Sequence, residues 1–194
     1  MDALFVYGFS IIIIEAKENE EEKQMKYHNI TKDDMKNGDG LRVVLWLAGC
    51  EHHCPGCQNP ITWDPDDGLE FDEVAKKEIF NQLDKDYISG ITFSGGDPLN
   101  ENNRFVVCDL IKRIRSKYKN TKSIWIYTGY TWEEIIEEAW PILTAILEDT
   151  DVIVDGTFEE NLADINYHWA GSTNQRVIDV QRSIEDKKIV LYKD

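Results

Sequence analysis

The sequence predicts an α/β fold, a partial (open) β/α barrel of mainly parallel strands. Two observations carry this. From residue 41 onward, short apolar runs rich in Val, Ile and aromatic residues alternate with stretches whose apolar side chains recur at helical spacing, the pattern of repeated strand–helix units around a parallel sheet. Right-handed crossovers curl such units in one sense and gather the loops at the strands' C-terminal ends on a single face, where chemistry is expected.

The elements follow in order. A first strand is expected over residues 41–47, a buried apolar run. A helix over 72–85 begins at Asp72, a capping residue, and repeats apolar positions at Val74, Ile79 and Leu83. A strand over 90–94 precedes a helix over 102–119 with Val106, Leu110, Ile111 and Ile114 on one stripe. After a strand over 123–128, Thr131 and Glu134 form a capping box that starts a third helix, which Pro141 ends or bends. Strands over 152–155 and 176–178 follow, and residues 188–192 are a candidate for the last.

At 194 residues, with 42% apolar and 11% aromatic side chains, one domain with a real core is expected. Residues 25–194 supply it. Residues 1–24 read as an appended extension, an apolar run ending in four isoleucines followed by a stretch dense in Glu and Lys. It is either an arm that packs on the body or on a partner, or the product of a start assigned upstream of Met25. The three glutamates at 20–22 favour the second reading, because their codons would resemble a ribosome-binding site.

A formal charge of −16 and a pI near 4.6 set up a field that repels a phosphate backbone, so no nucleic-acid partner is expected. An acidic surface also serves solubility alone. Four cysteines without a secretory signal point to a reducing compartment, hence the cytoplasm, where clustered thiols are metal ligands more often than disulfides. No membrane partner is expected, since the apolar run at 4–14 falls short of the roughly 20 residues needed to span a bilayer.

Directly after the first strand, Cys50, Cys54 and Cys57 stand in a C-x3-C-x2-C loop. A closed iron–sulfur or zinc site takes four protein ligands, so three leave a metal position open to something exogenous. Gly49 and Gly56 let the loop curl, and Pro55 and Pro60 stiffen it. The alternative is a zinc site completed by His52 or His53. Cys108, inside an amphipathic helix, reads as a small buried hydrophobe.

This loop resembles that of the radical S-adenosylmethionine enzymes. Ser94-Gly95-Gly96-Asp97-Pro98, at the end of the second strand, resembles their glycine-glycine-glutamate-proline motif with Asp in place of Glu. Paired glycines bring backbone close to a ligand, and the exposed carbonyls can accept from an ammonium group. Further stretches make the likeness narrower: Tyr27-His28-Asn29, Asn37-Gly38-Asp39-Gly40-Leu41-Arg42, Trp63, Tyr127-Thr128-Gly129-Tyr130, Val154-Asp155-Gly156 and Gly171-Ser172-Thr173-Asn174-Gln175-Arg176. Together these resemble the activating proteins of anaerobic ribonucleoside-triphosphate reductases, activases of glycyl radical enzymes, from residue 25 to about 184. Asp39 stands where related activases often have Pro, and residues 1–24 have no counterpart.

The resemblance implies that Cys50, Cys54 and Cys57 ligate a [4Fe-4S] cluster whose fourth iron is chelated by S-adenosylmethionine. It implies a cofactor lining of Gly56, Cys57, Gln58, Gly95, Gly96, Asp97, Thr128, Gly129 and Asp155. For Thr128, Gly129 and Asp155 turn chemistry or helix capping is the plainer reading. Reductive cleavage of the sulfonium would yield a 5'-deoxyadenosyl radical that removes hydrogen from a C-terminal glycine of the large catalytic subunit of the anaerobic reductase. No acid or base is required of the protein, which orients the reactants and excludes water. A flavodoxin or ferredoxin would supply the electron. Alternatives are an activase of another glycyl radical enzyme, a small-molecule radical synthase, and, from another class, a zinc-stabilised binding module. Of the tryptophans, Trp46 and Trp125 are expected in the core, and Trp63 and Trp169, in loops, are candidates for partner contact.

Overall fold

The computed structural model describes residues 24–138 and 140–193. The apolar run at 4–14 and the rest of the appended segment up to residue 23 lie outside them. Among the described residues seven strands form one open sheet: β1 (Lys26–Asp34), β2 (Arg42–Leu47), β3 (Leu69–Glu70), β4 (Gly90–Gly95), β5 (Ser123–Tyr127), β6 (Val152–Asp155) and β7 (Arg176–Asp179), in the order β3-β1-β2-β4-β5-β6-β7. The middle four strands, β2, β4, β5 and β6, run parallel, as expected. Both flanks are antiparallel. The sheet is therefore mixed α/β and open.

The helices are α1 (Glu73–Leu83), α2 (Arg104–Tyr118), α3 (Trp132–Glu138), α4 (Pro141–Asp149) and α5 (Val180–Asp186). Asp72 caps α1 by accepting from the Val74 and Ala75 amides. That cap turns Val74 to solvent, 71% exposed, and Ala75 takes its place in the core with Ile79 and Leu83. Thr131 and Glu134 exchange the reciprocal bonds of a capping box at the start of α3. Pro141 starts a new helix at its first turn, where its missing N–H costs nothing.

Two strands lack a sequence signal. β1 is nearly all polar, with only Ile30 buried, and is broken by register shifts, so it has no apolar alternation to read. β3 spans two exposed residues. The expected strand at 188–192 reduces to a bridge between Ile178 and Leu191. β7 returns antiparallel because the chain between it and β6 holds only a short 3-10 turn, Glu160–Leu162, and no crossover helix.

Strand alternation divides the core. Ile124 and Ile126 of β5 face the helical layer with Ile91, Phe93, Ile111 and Ile114. Trp125, between them, faces the other way with Val152, Val154 and Val177, and Trp169 and Tyr192 close over it. Trp169 is thus packing. Beneath this face Arg42 is fully buried and donates to Thr92 Oγ1, to the hydroxyl and carbonyl of Ser123, and to the carbonyls of Ile91 and Asp39. Asp39, the residue that departs from the activase pattern, holds Lys193 of the tail. Among the described residues no helix is long and apolar enough to cross a membrane.

Candidate active site

Strands β2 and β4 are neighbours and parallel, with Leu47 opposite Gly95, so the loops leaving their C-terminal ends emerge side by side. The cysteine loop leaves β2. Gly49, at φ +91, turns the chain so that its amide and that of Cys50 donate back to the carbonyls of Thr62 and Trp63. Cys57 N–H donates to the Cys54 carbonyl at 3.1 Å, and Cys57 Sγ accepts from the Asn59 amide at 3.3 Å. All three loop cysteines are free and partly exposed. Cys108 is buried in α2 within the core.

The segment leaving β4 is fastened to that loop. Gly96 N–H donates to the Leu47 carbonyl at 2.7 Å and Asp97 N–H to the Gly49 carbonyl at 2.8 Å. Asn103 bridges the two, its amide reaching the carbonyls of Ala48 at 2.8 Å and Asp97 at 2.9 Å. A Cβ at residue 96 would stand 2.6 Å from the Gly49 oxygen, so only glycine permits this approach. Gly95 is at φ +91, against the backbone of Leu47.

Asp97 is the hub. Its side chain is 1% exposed and its oxygens accept from the Leu99 amide at 2.8 Å, the Gly129 amide at 2.8 Å, the Thr128 hydroxyl at 2.9 Å and His52 Nε2 at 2.8 Å. These donors come from the cysteine loop, from its own turn and from the end of β5. His52 in turn lies edge-on to Tyr130, whose hydroxyl donates to Glu51. Burial opposes charge on His52, but the Asp97 hydrogen bond and nearby carboxylates outweigh it and raise its pKa above the ordinary value.

The remaining expected cofactor residues lie apart from this hub. Gly56, at φ +72, sits against Glu160, and Gln58 is exposed. Asp155 is buried and engaged elsewhere, accepting from the Trp132 amide that opens α3 and from the Arg176 guanidinium. Helix capping describes it. A cavity of about 400 Å³ borders Cys50, walled by Trp63, Asp64, Pro65, Asn100 and Glu101. Trp63 Nε1 is buried without a hydrogen-bond partner among the described residues.

The donor set suits an iron–sulfur cluster: three free thiols on one loop, near enough that Cys54 and Cys57 both act on the titration of Cys50. Burial pushes the Cys50 thiol up to about 11, so it keeps its proton until a cationic centre displaces it. Among the described residues no three Cys, His, Asp or Glu side chains already stand in a metal-holding arrangement. His52, the candidate fourth zinc ligand, has its Nε2 committed to Asp97, and His53 has Nδ1 bonded to the Glu51 carbonyl and its ring on Trp63. The roles of His52, Asn103 and Tyr130 carry no spacing signal in the sequence.

A profile of the 4Fe-4S single cluster domain matches residues 36–178. The anaerobic ribonucleoside-triphosphate reductase-activating protein of Enterobacteria phage T4 is 40% identical over 153 residues, 79% of this chain and 93% of that protein. The protein of the same name from Escherichia coli strain K12 is 38% identical over 155 residues, 79% of this chain and 97% of its own length. That from Pasteurella multocida strain Pm70 is 38% identical over 153 residues, 78% and 95% respectively. The chain belongs to the anaerobic ribonucleoside-triphosphate reductase-activating protein family. Within this reductase-activating family, the matched 4Fe-4S domain spans both the cysteine loop and the Gly95-Gly96-Asp97 turn.

Proposed function

We propose that this chain activates an anaerobic ribonucleoside-triphosphate reductase as a radical S-adenosylmethionine enzyme. The observation that carries the reading is the junction of the cysteine loop with the Gly95-Gly96-Asp97 turn, at adjacent C-terminal ends of parallel strands. Cys50, Cys54 and Cys57 would hold a [4Fe-4S] cluster. Bound there with S-adenosylmethionine, such a cluster would supply the electron for reductive cleavage of the sulfonium carbon–sulfur bond, the chemistry that would let hydrogen be taken from a glycine of the reductase.

The chain's own residues orient and shield. Asp97 and Asn103 hold the cysteine loop against β4 and β5. Gly95 and Gly96 let the turn after β4 pack directly on the backbone of residues 46–49, and Trp63 walls the adjoining cavity. On this reading Gly56 and Gln58 line the cofactor from the cysteine loop, and Thr128 and Gly129 act through Asp97, to which both donate. An open sheet, read as a partial barrel of the radical S-adenosylmethionine type, suits a substrate that is a loop of another protein. Residues 25–194 are the activase domain, with 1–24 an extension. A flavodoxin or ferredoxin donates the electron in the cytoplasm, and the charge of −16 argues against nucleic acid.

Anaerobic reconstitution with iron and sulfide tests this. The protein should bind four irons and, under dithionite, convert S-adenosylmethionine to deoxyadenosine. Addition of the large reductase subunit should produce a glycyl radical signal in the electron paramagnetic resonance spectrum. Zinc without iron, or deoxyadenosine with no radical on the reductase, would overturn it.

A further inference from the structure

Beside the cysteine loop, at the start of α2, the Arg104 guanidinium lies 4.0 Å over the Trp140 ring and 5.8 Å from that of Phe105. Trp140 is 44% exposed and Phe105 55%. Arg104 Nε is buried and makes no hydrogen bond, and no ion pair reaches this side chain among the described residues. The aromatic rings have removed its water without supplying an acceptor, which leaves a desolvated donor.

Arg104 and Trp140 wall a cavity of about 170 Å³ with an apolar floor of Leu99, Ile135 and Leu143 and a rim of Glu51, Glu101 and Glu138. Small-molecule and cofactor sites run to roughly 300–1,000 Å³, so this one has room for a single side chain. Three carboxylates against one guanidinium leave its mouth negative. Glu51 and Glu101 also wall the larger cavity that borders Cys50, so the two cavities are neighbours and an occupant here sits beside the cysteine loop. Exposed Trp140 in the cavity wall, with half-buried Arg104 against it and exposed Phe105 beside Arg104, has the composition of an interface anchor.

We propose that this corner seats a segment of the partner reductase, an inference that rests on the function proposed above. The segment carries an apolar side chain that enters the cavity, a main-chain carbonyl that accepts from Arg104, and a lysine or arginine that meets the three glutamates. The seat would hold the reductase so that its reacting glycine loop lies over the cysteines.

The test measures binding of the large reductase subunit to the reconstituted full chain, by interferometry under argon, for the wild type and for W140A, F105A and E138K. Each variant should weaken Kd at least tenfold, and E138K should also flatten the salt dependence. Deoxyadenosine formation without reductase should stay at the wild-type rate in all three, which shows that the cofactor site is intact. E138K alters an exposed side chain and guards against loss of folding in the aromatic variants. Wild-type Kd in all three variants overturns the seat alone. Failure of the wild type itself to bind or activate the reductase overturns the function reading and the seat with it.

Discussion

His52 and Asp97, 45 residues apart in the chain, meet at 2.8 Å and tie the cysteine loop to the ends of β4 and β5. The bond is shielded, with the two side chains only 12% and 1% exposed. It makes the geometry of the three cysteines depend on a carboxylate in the turn that follows a different strand.

Breaking that tie should loosen the loop before it harms the fold. In the apoprotein, H52A should raise the rate of iodoacetamide alkylation at Cys50, Cys54 and Cys57 several-fold, with Cys108 unchanged, as read by mass spectrometry. H52Q, which can still donate, should restore part of the protection. Equal alkylation rates in H52A and wild type would remove His52 from any positioning role.

Asp97→Asn turns one acceptor oxygen into a donor facing other donors. Hydrogen bonds to a charged group contribute roughly 1.5–3 kcal/mol, and in a chain of this size each kcal/mol moves Tm by about 2–4 °C. The melting temperature of D97N should therefore fall by roughly 5–10 °C. G129A should act on the same contact from the other side, because a Cβ there collides with the His52 ring. Calorimetry on the apoproteins checks both.

Replacement of any one loop cysteine by Ala should abolish stable iron binding, measured after desalting. C108A, whose thiol is buried among core side chains, should keep its iron and lose only about 1 kcal/mol of stability. Loss of iron in C108A would make it the fourth ligand.

Arg42 is costly to remove. It serves five acceptors from full burial, and burial lowers its pKa to about 10, still cationic at neutral pH. R42M should destabilise by at least about 3 kcal/mol, since the acceptors are left buried without a donor. Urea unfolding measures it.

Glu133 pairs with Arg176, whose hydrogen bond holds its carboxyl down at about 2. A depressed folded pKa adds stability above the ordinary carboxylate value of 4.5, and that contribution fades as pH falls toward 2. The Tm gap between wild type and E133Q should therefore be widest near pH 6, narrow below pH 4.5 and close only at about pH 2. Because Glu133 is exposed, high salt should shrink the gap as well.

Much of this protein could be read from its residues one after another. The parallel strands β2, β4, β5 and β6 announce themselves as buried apolar runs, and the caps at Asp72 and Thr131 are local chemistry that works wherever the chain lies. The cysteine spacing and the Gly95-Gly96 pair are local too, which is why the ligand loop and its likeness to the activases were legible without coordinates. β1 was not, because its side chains are polar and its existence depends on the β2 edge it pairs with.

The sequence by itself determined which chemical groups this protein owns: three thiols in one loop, a glycine turn at the next strand's end, and an acid-rich surface. Only tertiary structure decided what each group faces. Strand order set Asp97 beside His52, strand alternation sent Trp125 to the face that Trp169 covers, and helix packing left Trp140 and Arg104 at the open rim. The reason is physical: local propensities act within a few residues, whereas these contacts join distant parts of the chain and follow from register and crossover handedness.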